Sequence, residues 1–290
     1  MKDFNGKVVV ITGAGSGIGR ELARQFAARG AVLALNDLHD LTLDETWHDL
    51  PAPARGLRRA FDVGDRTAIE DFAQETRQSL GRVDVMINNA GMSVRQQPAA
   101  AIAIEDYETT LRVNLWGVVY GSLAFLPYLR ERDGASLVNI SSVFGLFAFP
   151  GSGPYNISKF AVRGFTETLR VEFGKLLHVC CVHPGGIATN IHRNVAIDDP
   201  QERERFIRNF DKQARTTAAE AARQIIRAVE RRQPRLLIGR DAYWIDKFTR
   251  LLPGSYERIL ARWYKPETFL GRAARRGDPP GAAGSSGSVR

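Results

Sequence analysis

Residues 7–19 read Lys7-Val8-Val9-Val10-Ile11-Thr12-Gly13-Ala14-Gly15-Ser16-Gly17-Ile18-Gly19. Four consecutive β-branched apolar residues predict a strand buried on both faces, because a half-exposed strand alternates apolar and polar residues. Four glycines follow at once, three of them (Gly13, Gly17, Gly19) in the spacing G-x-x-x-G-x-G, and Gly17 opens a segment of helical period that runs to Arg29. A turn without side chains lets backbone N–H groups close on a phosphate, and a helix N-terminus adds a favourable dipole. The spacing differs from the G-x-G-x-x-G of the general dinucleotide fingerprint. What gives the glycines meaning is the strand before them and the helix after them.

The same grammar continues outward. Strands are predicted at Lys7–Thr12, Ala31–Asn36, Leu57–Asp62, Val83–Ile87, Ser136–Ser141, Leu177–Val182 and Arg235–Ile238. Helices are predicted at Gly17–Arg29, Arg66–Leu80, Glu105–Arg130, Tyr155–Gly174 and Ala218–Arg231. Such alternation implies an α/β fold, a Rossmann-type doubly wound parallel sheet of about seven strands with helices on both faces. No Gly-, Pro- or Ser-rich break precedes residue 240, so residues 1–242 read as one domain. Residues 243–270 read as an amphipathic helical extension, with two short pieces around Pro253-Gly254, and residues 271–290 as a disordered tail rich in Gly, Ala, Ser, Pro and Arg. The polar stretch Thr189–Thr216 follows a strand end and reads as a cover over a site.

Composition narrows the class. With 44% apolar residues among 290, the chain can bury a sizeable core. Its +8 net charge is spread along the sequence, which fits a solvated surface better than a nucleic-acid site, and no nucleic-acid-binding module is recognisable. Cys180 and Cys181 are adjacent and point to opposite faces of a strand, so no ordinary disulfide joins them. The five histidines show no metal-ligand spacing, and no metal is expected. Without an apolar leader or a membrane-length run, a reducing cytoplasm is the expected location.

Asp37 closes the second strand, 24 residues beyond Gly13. A carboxylate there accepts hydrogen bonds from ribose hydroxyls and repels a 2′-phosphate, which points to NAD rather than NADP. Asp40 is also close, and the choice depends on where the strand ends. Tyr155 and Lys159, four apart at the start of a helix, share one helix face. An ammonium beside a phenol favours the phenolate, which turns a poor base into a usable one. Ser142, thirteen residues upstream at a strand end, is placed to hold a reacting oxygen, and Ser141 competes for the role.

These residues, in this order, resemble the short-chain dehydrogenase/reductase superfamily in its compact single-domain form, over about residues 5 to 240. The match includes the turn Thr12–Gly19, Asn88-Asn89-Ala90-Gly91 after the fourth strand, Asn114, Ser142, Tyr155, Lys159, and Pro184-Gly185-Gly186-Ile187-Ala188-Thr189 after the sixth strand. The resemblance implies that Tyr155 is the general acid/base and that Lys159 lowers its pKa and binds the nicotinamide ribose. It further implies that Ser142 holds the substrate oxygen and that Asn114 holds a water completing a proton relay. Cofactor contacts are implied for Gly13, Ser16, Gly17, Ile18, Gly19, Asp37, Asp62, Val63, Asn89, Ala90, Gly91, Pro184, Ile187 and Thr189. The expected function is NAD(H)-dependent interconversion of a secondary alcohol and a ketone. Alternatives are a non-catalytic NAD(H) sensor or interaction protein on the same fold, and a reductase of a carrier-bound ketone.

Val143–Pro154 reads VFGLFAFPGSGP, placing Phe144, Leu146, Phe147 and Phe149 near Ser142. Either they wall a site for a bulky apolar alcohol or ketone (steroid-like, retinoid-like or long-chain), or they pack into the core or a subunit interface. Residues 243–264 fit three uses, as a cover on the substrate mouth, a subunit contact or a membrane contact, with the first two favoured. The resemblance also implies a homodimer or homotetramer joined through the helices near Glu105–Arg130 and Tyr155–Gly174.

Overall fold

The computed structural model of the chain describes residues 3–93, 95–188, 201, 204, 208 and 216–263. Its centre is a seven-stranded, all-parallel sheet built from β1 (Val8–Thr12), β2 (Val32–Asp37), β3 (Arg55–Ala60), β4 (Val85–Asn88), β5 (Ser136–Ile140), β6 (His178–Pro184) and the last strand, β9 (Arg235–Ile238). Their spatial order is β3-β2-β1-β4-β5-β6-β9. Two short strands, β7 (Ile187–Ala188) and β8 (Thr216–Thr217), pair apart from this sheet.

All seven expected strands are present, with bounds moved by a residue or two. The third moved most. It starts at Arg55 because pairing with β2 begins at Leu33↔Arg55, and as an edge strand it lacks the continuous apolar run that marks the others. Helices α1 (Gly17–Ala27), α2 (Asp40–Asp49) and α7 (Ala218–Glu230) cover one face, and α3 (Arg66–Leu80), α5 (Gly117–Arg130) and α6 (Gly153–Phe173) cover the other. Two apolar cores result, one on each side of the sheet. Val9 and Ile11 of β1 face one and Val10 the other, which is why that strand had to be apolar throughout.

The expected helix Glu105–Arg130 is divided into α4 (Ile104–Leu111), one π-helical turn (Arg112–Trp116) and α5. Such turns add a residue to the helix and are frequent at functional sites. Helix α2 was not expected; it buries only Leu43 and Thr46 and leaves little period to read. Caps match the sequence elsewhere. Asp65 accepts the Ala68 N–H at 3.2 Å and Thr217 the Glu220 N–H at 3.1 Å, contacts of about 1 kcal/mol each. Pro154 sits in the first turn of α6, where its missing N–H costs nothing.

The sheet order reverses direction between β1 and β4, which opens a crevice at their carboxyl ends, the usual ligand position in such sheets. Four connections converge there: 13–17 after β1, 89–92 after β4, 141–143 after β5 and 185–186 after β6.

The C-terminal extension begins as α8 (Arg240–Leu251), three residues ahead of the expected Tyr243, followed by α9 (Tyr256–Trp263). The expected tail 271–290 lies outside the described residues, as does almost all of the expected cover Thr189–Thr216. Among the described residues no helix is long and apolar enough to cross a membrane.

Candidate active site

The glycine turn is held against its surroundings by backbone contacts. Gly13 (φ +66°) lies so close to the 89–90 loop that a Cβ on it would come within 2.8 Å of Ala90 Cα. A Cβ on Gly19 would sit 2.0 Å from the Gly13 carbonyl oxygen. Asn89 Nδ2 donates to the carbonyls of Thr12 at 2.9 Å and Gly13 at 3.1 Å, and the Thr12 hydroxyl accepts the N–H groups of Asn89 and Ala90, each at 3.1 Å. Helix α1 makes its first internal bond from Arg20 N–H to Ser16 O. The N–H groups of Gly17, Ile18 and Gly19 therefore precede the helical ladder, and Ser16 does not use its hydroxyl as a cap. The turn is a cradle that any Cβ would fill, with amides and a helix dipole at its mouth, and it fits a pyrophosphate.

Asp37 ends β2 beside this turn. Its Oδ2 accepts the Gly15 N–H at 2.8 Å and its Oδ1 the His39 N–H at 3.1 Å. Asp40 instead lies in the first turn of α2 and pairs with Arg58 at 2.7 Å, which selects Asp37 as the carboxylate at the turn. Asp62 follows β3, accepting from Gly64 N at 2.8 Å and pairing with Arg112 at 2.5 Å. Val63 is buried, and a Cβ on Gly117 would come within 2.7 Å of it.

At the ends of β5 and α6 the two serines separate. Ser141 donates its hydroxyl to the Lys159 carbonyl at 2.8 Å and is spent on holding the helix. Ser142, buried at the end of β5, accepts the Phe144 N–H at 3.2 Å and stands close enough to the Tyr155 phenol to act on its acidity. Lys159 is 3% exposed; its Nζ donates to the Ile140 carbonyl at 3.1 Å and lies 5.5 Å from the Tyr155 ring centre. Asn114, fully buried in the π turn, clamps the 91–92 segment: its Oδ1 accepts Met92 N–H at 2.8 Å and its Nδ2 donates to Met92 O at 2.9 Å and Ser158 Oγ at 3.3 Å. A Cβ on Gly91 would stand 3.2 Å from Asn114 Oδ1 and 3.6 Å from Lys159 Nζ. Ser142, Tyr155, Lys159, Asn114 and Gly91 thus form one group.

Electrostatics correct one expectation. Burial raises the Tyr155 phenol above its ordinary value, and the Ser142 hydrogen bond only partly opposes this. Burial also pulls the Lys159 ammonium down to about 8, against a small upward effect of Cys181. Desolvation disfavours the charged form of each group. Burial thus works against the phenolate that the nearby lysine favours. It holds a protonated donor beside an easily deprotonated amine.

Two supports had no readable signal. His183, fully buried, bonds through Nδ1 to the Ser142 carbonyl at 3.0 Å. Its pKa is pushed down to about 4 by burial, so it braces the serine as a neutral ring. Asp241 of α8 accepts the Gly186 N–H at 2.8 Å, and a Cβ on Gly185 would collide with its carboxylate. It fixes the turn between Pro184, which ends β6, and Ile187, which is buried in β7. Both contacts join residues more than 40 positions apart. Thr189 lies outside the described residues.

The aromatic stretch gathers around a third small core, with Phe144 and Phe149 partly buried against it. Phe144 stands edge-on to Tyr155 at 5.8 Å and stacks on Phe149 at 5.2 Å. Val143 and Phe147 are buried in a third small core with Ala242, against which Ile245, Tyr256 and Leu260 of the C-terminal helices pack. A cleft of about 790 Å³ between α7 and α8, lined by residues including Thr216, Glu220, Leu237 and Trp244, touches none of the Tyr155 group.

Known proteins share this fold and much of this sequence. The sequence matches the short chain dehydrogenase family model over residues 7–200. It is 40% identical over 266 residues to the putative oxidoreductase SadH of Mycobacterium tuberculosis, covering 90% of this chain and 96% of that one. It is 30% identical to 2-(R)-hydroxypropyl-CoM dehydrogenase of Xanthobacter autotrophicus, covering 87% and 99%. A short-chain dehydrogenase/reductase from Burkholderia phymatum, solved with NAD, superposes with a TM-score of 0.79 at 27% identity, covering 89% and 97%.

Proposed function

The chain belongs to the short-chain dehydrogenase/reductase family, and we propose that it interconverts a secondary alcohol and a ketone with NAD(H), using Tyr155 as general acid/base. The observation that carries the reading is the single group formed by Ser142, Tyr155 and Lys159 at the ends of β5 and α6. Bound NAD would supply the hydride acceptor and NADH the donor. Gly13, Ser16, Gly17, Ile18 and Gly19 would hold its pyrophosphate, Asp37 the adenosine ribose, and Asp62 and Val63 the adenine. Asn89, Ala90, Gly91, Pro184, Ile187 and Thr189 would flank the nicotinamide half, with Lys159 on its ribose.

The chain's own residues then carry the proton. Ser142 holds the substrate oxygen beside the phenol. In reduction Tyr155 donates its proton to that oxygen, and burial keeps it protonated for the purpose. In oxidation the phenol must first lose its proton, and the positive nicotinamide ring adds the attraction that burial opposes. Lys159, held near 8, passes the proton onward. Asn114 spends its side chain on Met92, so its part in the relay falls to the main chain around the π turn.

Phe144 beside Tyr155 favours an extended apolar substrate, and the Xanthobacter relative, a 2-(R)-hydroxypropyl-CoM dehydrogenase, is in keeping with a secondary alcohol. Two carboxylate contacts at the turn favour NAD over NADP. Exposed Trp116 of the π turn, Leu123 of α5, and Ile157 and Phe160 of α6 support a homodimer or homotetramer through those helices. The test is a panel of alcohols and ketones offered with both nicotinamides and followed at the reduced-nicotinamide band. Turnover should be found with secondary alcohols or ketones and NAD(H). Turnover of none, with NADH bound, would leave a sensor instead.

A further inference from the structure

We propose that the outward face of the C-terminal helix pair docks on an anionic lipid surface. Helix α8 has two unlike sides. Ala242 and Ile245 face the small core around Val143 and Phe147, and the buried Asp246 is held by Arg235 and Arg250. The opposite side carries Tyr243 (47% exposed), Trp244 (62%), Phe248 (37%) and Leu251 (78%), followed by Leu252 (38%). These positions follow the helical period and form one continuous stripe. Exposed apolar residues scattered singly are ordinary, but a contiguous stripe of aromatic and aliphatic side chains on a single helix marks an interaction surface.

Charge decides the occupant. Residues 240–263 carry five cations (Arg240, Lys247, Arg250, Arg258, Arg262) and three acids (Asp241, Asp246, Glu257). Two of the acids are engaged internally, Asp246 with its two arginines and Asp241 with the Gly186 N–H. Lys247 lies within the stripe, 4.8 Å over the Tyr243 ring, and Arg258 and Arg262 are exposed one turn apart on α9. A second copy bound across a two-fold axis would set this stripe against itself, bringing its cations together. An anionic bilayer instead takes the aromatic rings at headgroup depth and the cations at the phosphates, the pattern of an interfacial helix.

The full chain should sediment with phosphatidylcholine vesicles containing phosphatidylglycerol, and much less with pure phosphatidylcholine, losing affinity as salt is raised. Trp244→Glu and Leu251→Glu, made separately at exposed positions, should each lower partitioning at least about tenfold, and Lys247→Ala about fivefold, as expected for one cation at such a surface. Circular dichroism and NADH binding establish that each variant is folded. No association at low salt would overturn the proposal, as would association unchanged in the folded variants. A wild-type oligomer that Trp244→Glu splits, without any vesicle binding, would assign the face to a second copy and overturn it too.

Discussion

The two sides of the Tyr155 group are built from different material. On the nucleotide side, contacts run through main chain: Gly13 against Ala90, Gly19 against Gly13, Gly15 N–H on Asp37, Asn89 on two carbonyls. On the substrate side they run through rings: Phe144 on Tyr155 and Phe149, Phe147 under α8 and α9. Backbone packed this closely accepts no added atom, whereas rings can be exchanged for others of similar volume. Such a fold can hold its glycine turn fixed while the ring-lined side varies, because the turn itself leaves no room for a side chain.

That contrast is sharpest at Lys159, which reaches both sides. Lys159→Met should lower kcat by about 10²–10⁴, the range of a lost acid–base component, for every substrate tested. It should also change stability against pH. The lysine's pKa falls from an ordinary 10.5 to about 8 on folding, so between those values the unfolded chain binds more protons. Wild-type stability should therefore rise with pH across that window, by about 3 kcal/mol over its full width. Denaturant titrations at pH 8 and above should show the rise in the wild type and its absence in Lys159→Met.

Gly19→Ala probes the nucleotide side alone. Its Cβ would stand 2.0 Å from the Gly13 oxygen, an overpacking of roughly 1–3 kcal/mol, so NADH binding by fluorescence should weaken about ten- to hundredfold. Binding within a factor of two of wild type would show that the turn yields and break the contrast. Asp37→Ala should lower the preference for NAD over NADP by about tenfold or more in kcat/KM, because the charge that repels a 2′-phosphate is gone. The smallest effect belongs to the rings. Phe144→Ala should raise KM for an extended apolar substrate about five- to tenfold and leave KM for a small polar one and the Kd for NADH unchanged. Equal losses for both substrates would mean that the ring serves Tyr155 and not specificity.

The same contrast explains what could be read from sequence. The turn at 12–19 and the pair Tyr155/Lys159 were legible because their geometry is local, a strand followed by glycines, or one helical turn. The seven parallel strands were legible for a similar reason, since burial on both faces leaves an unbroken apolar run. In sequence, Ser142 is told from Ser141 and Asp37 from Asp40 only through the family resemblance, because neighbouring residues of the same type differ only in where their side chains end, which the fold supplies. His183 behind Ser142 and Asp241 behind Gly186 join residues 41 and 55 positions apart and leave no local mark. The π turn that sets Asn114 against Met92 has no mark either, and α2 buries too little to show a period.

Replacing Tyr155 by Phe removes one oxygen and leaves the ring that touches Phe144 in place. The account predicts that single-turnover hydride transfer falls by about 10²–10⁴, while the Kd for NADH stays within about a factor of three. Transfer at the wild-type rate, with cofactor bound as before, would contradict it.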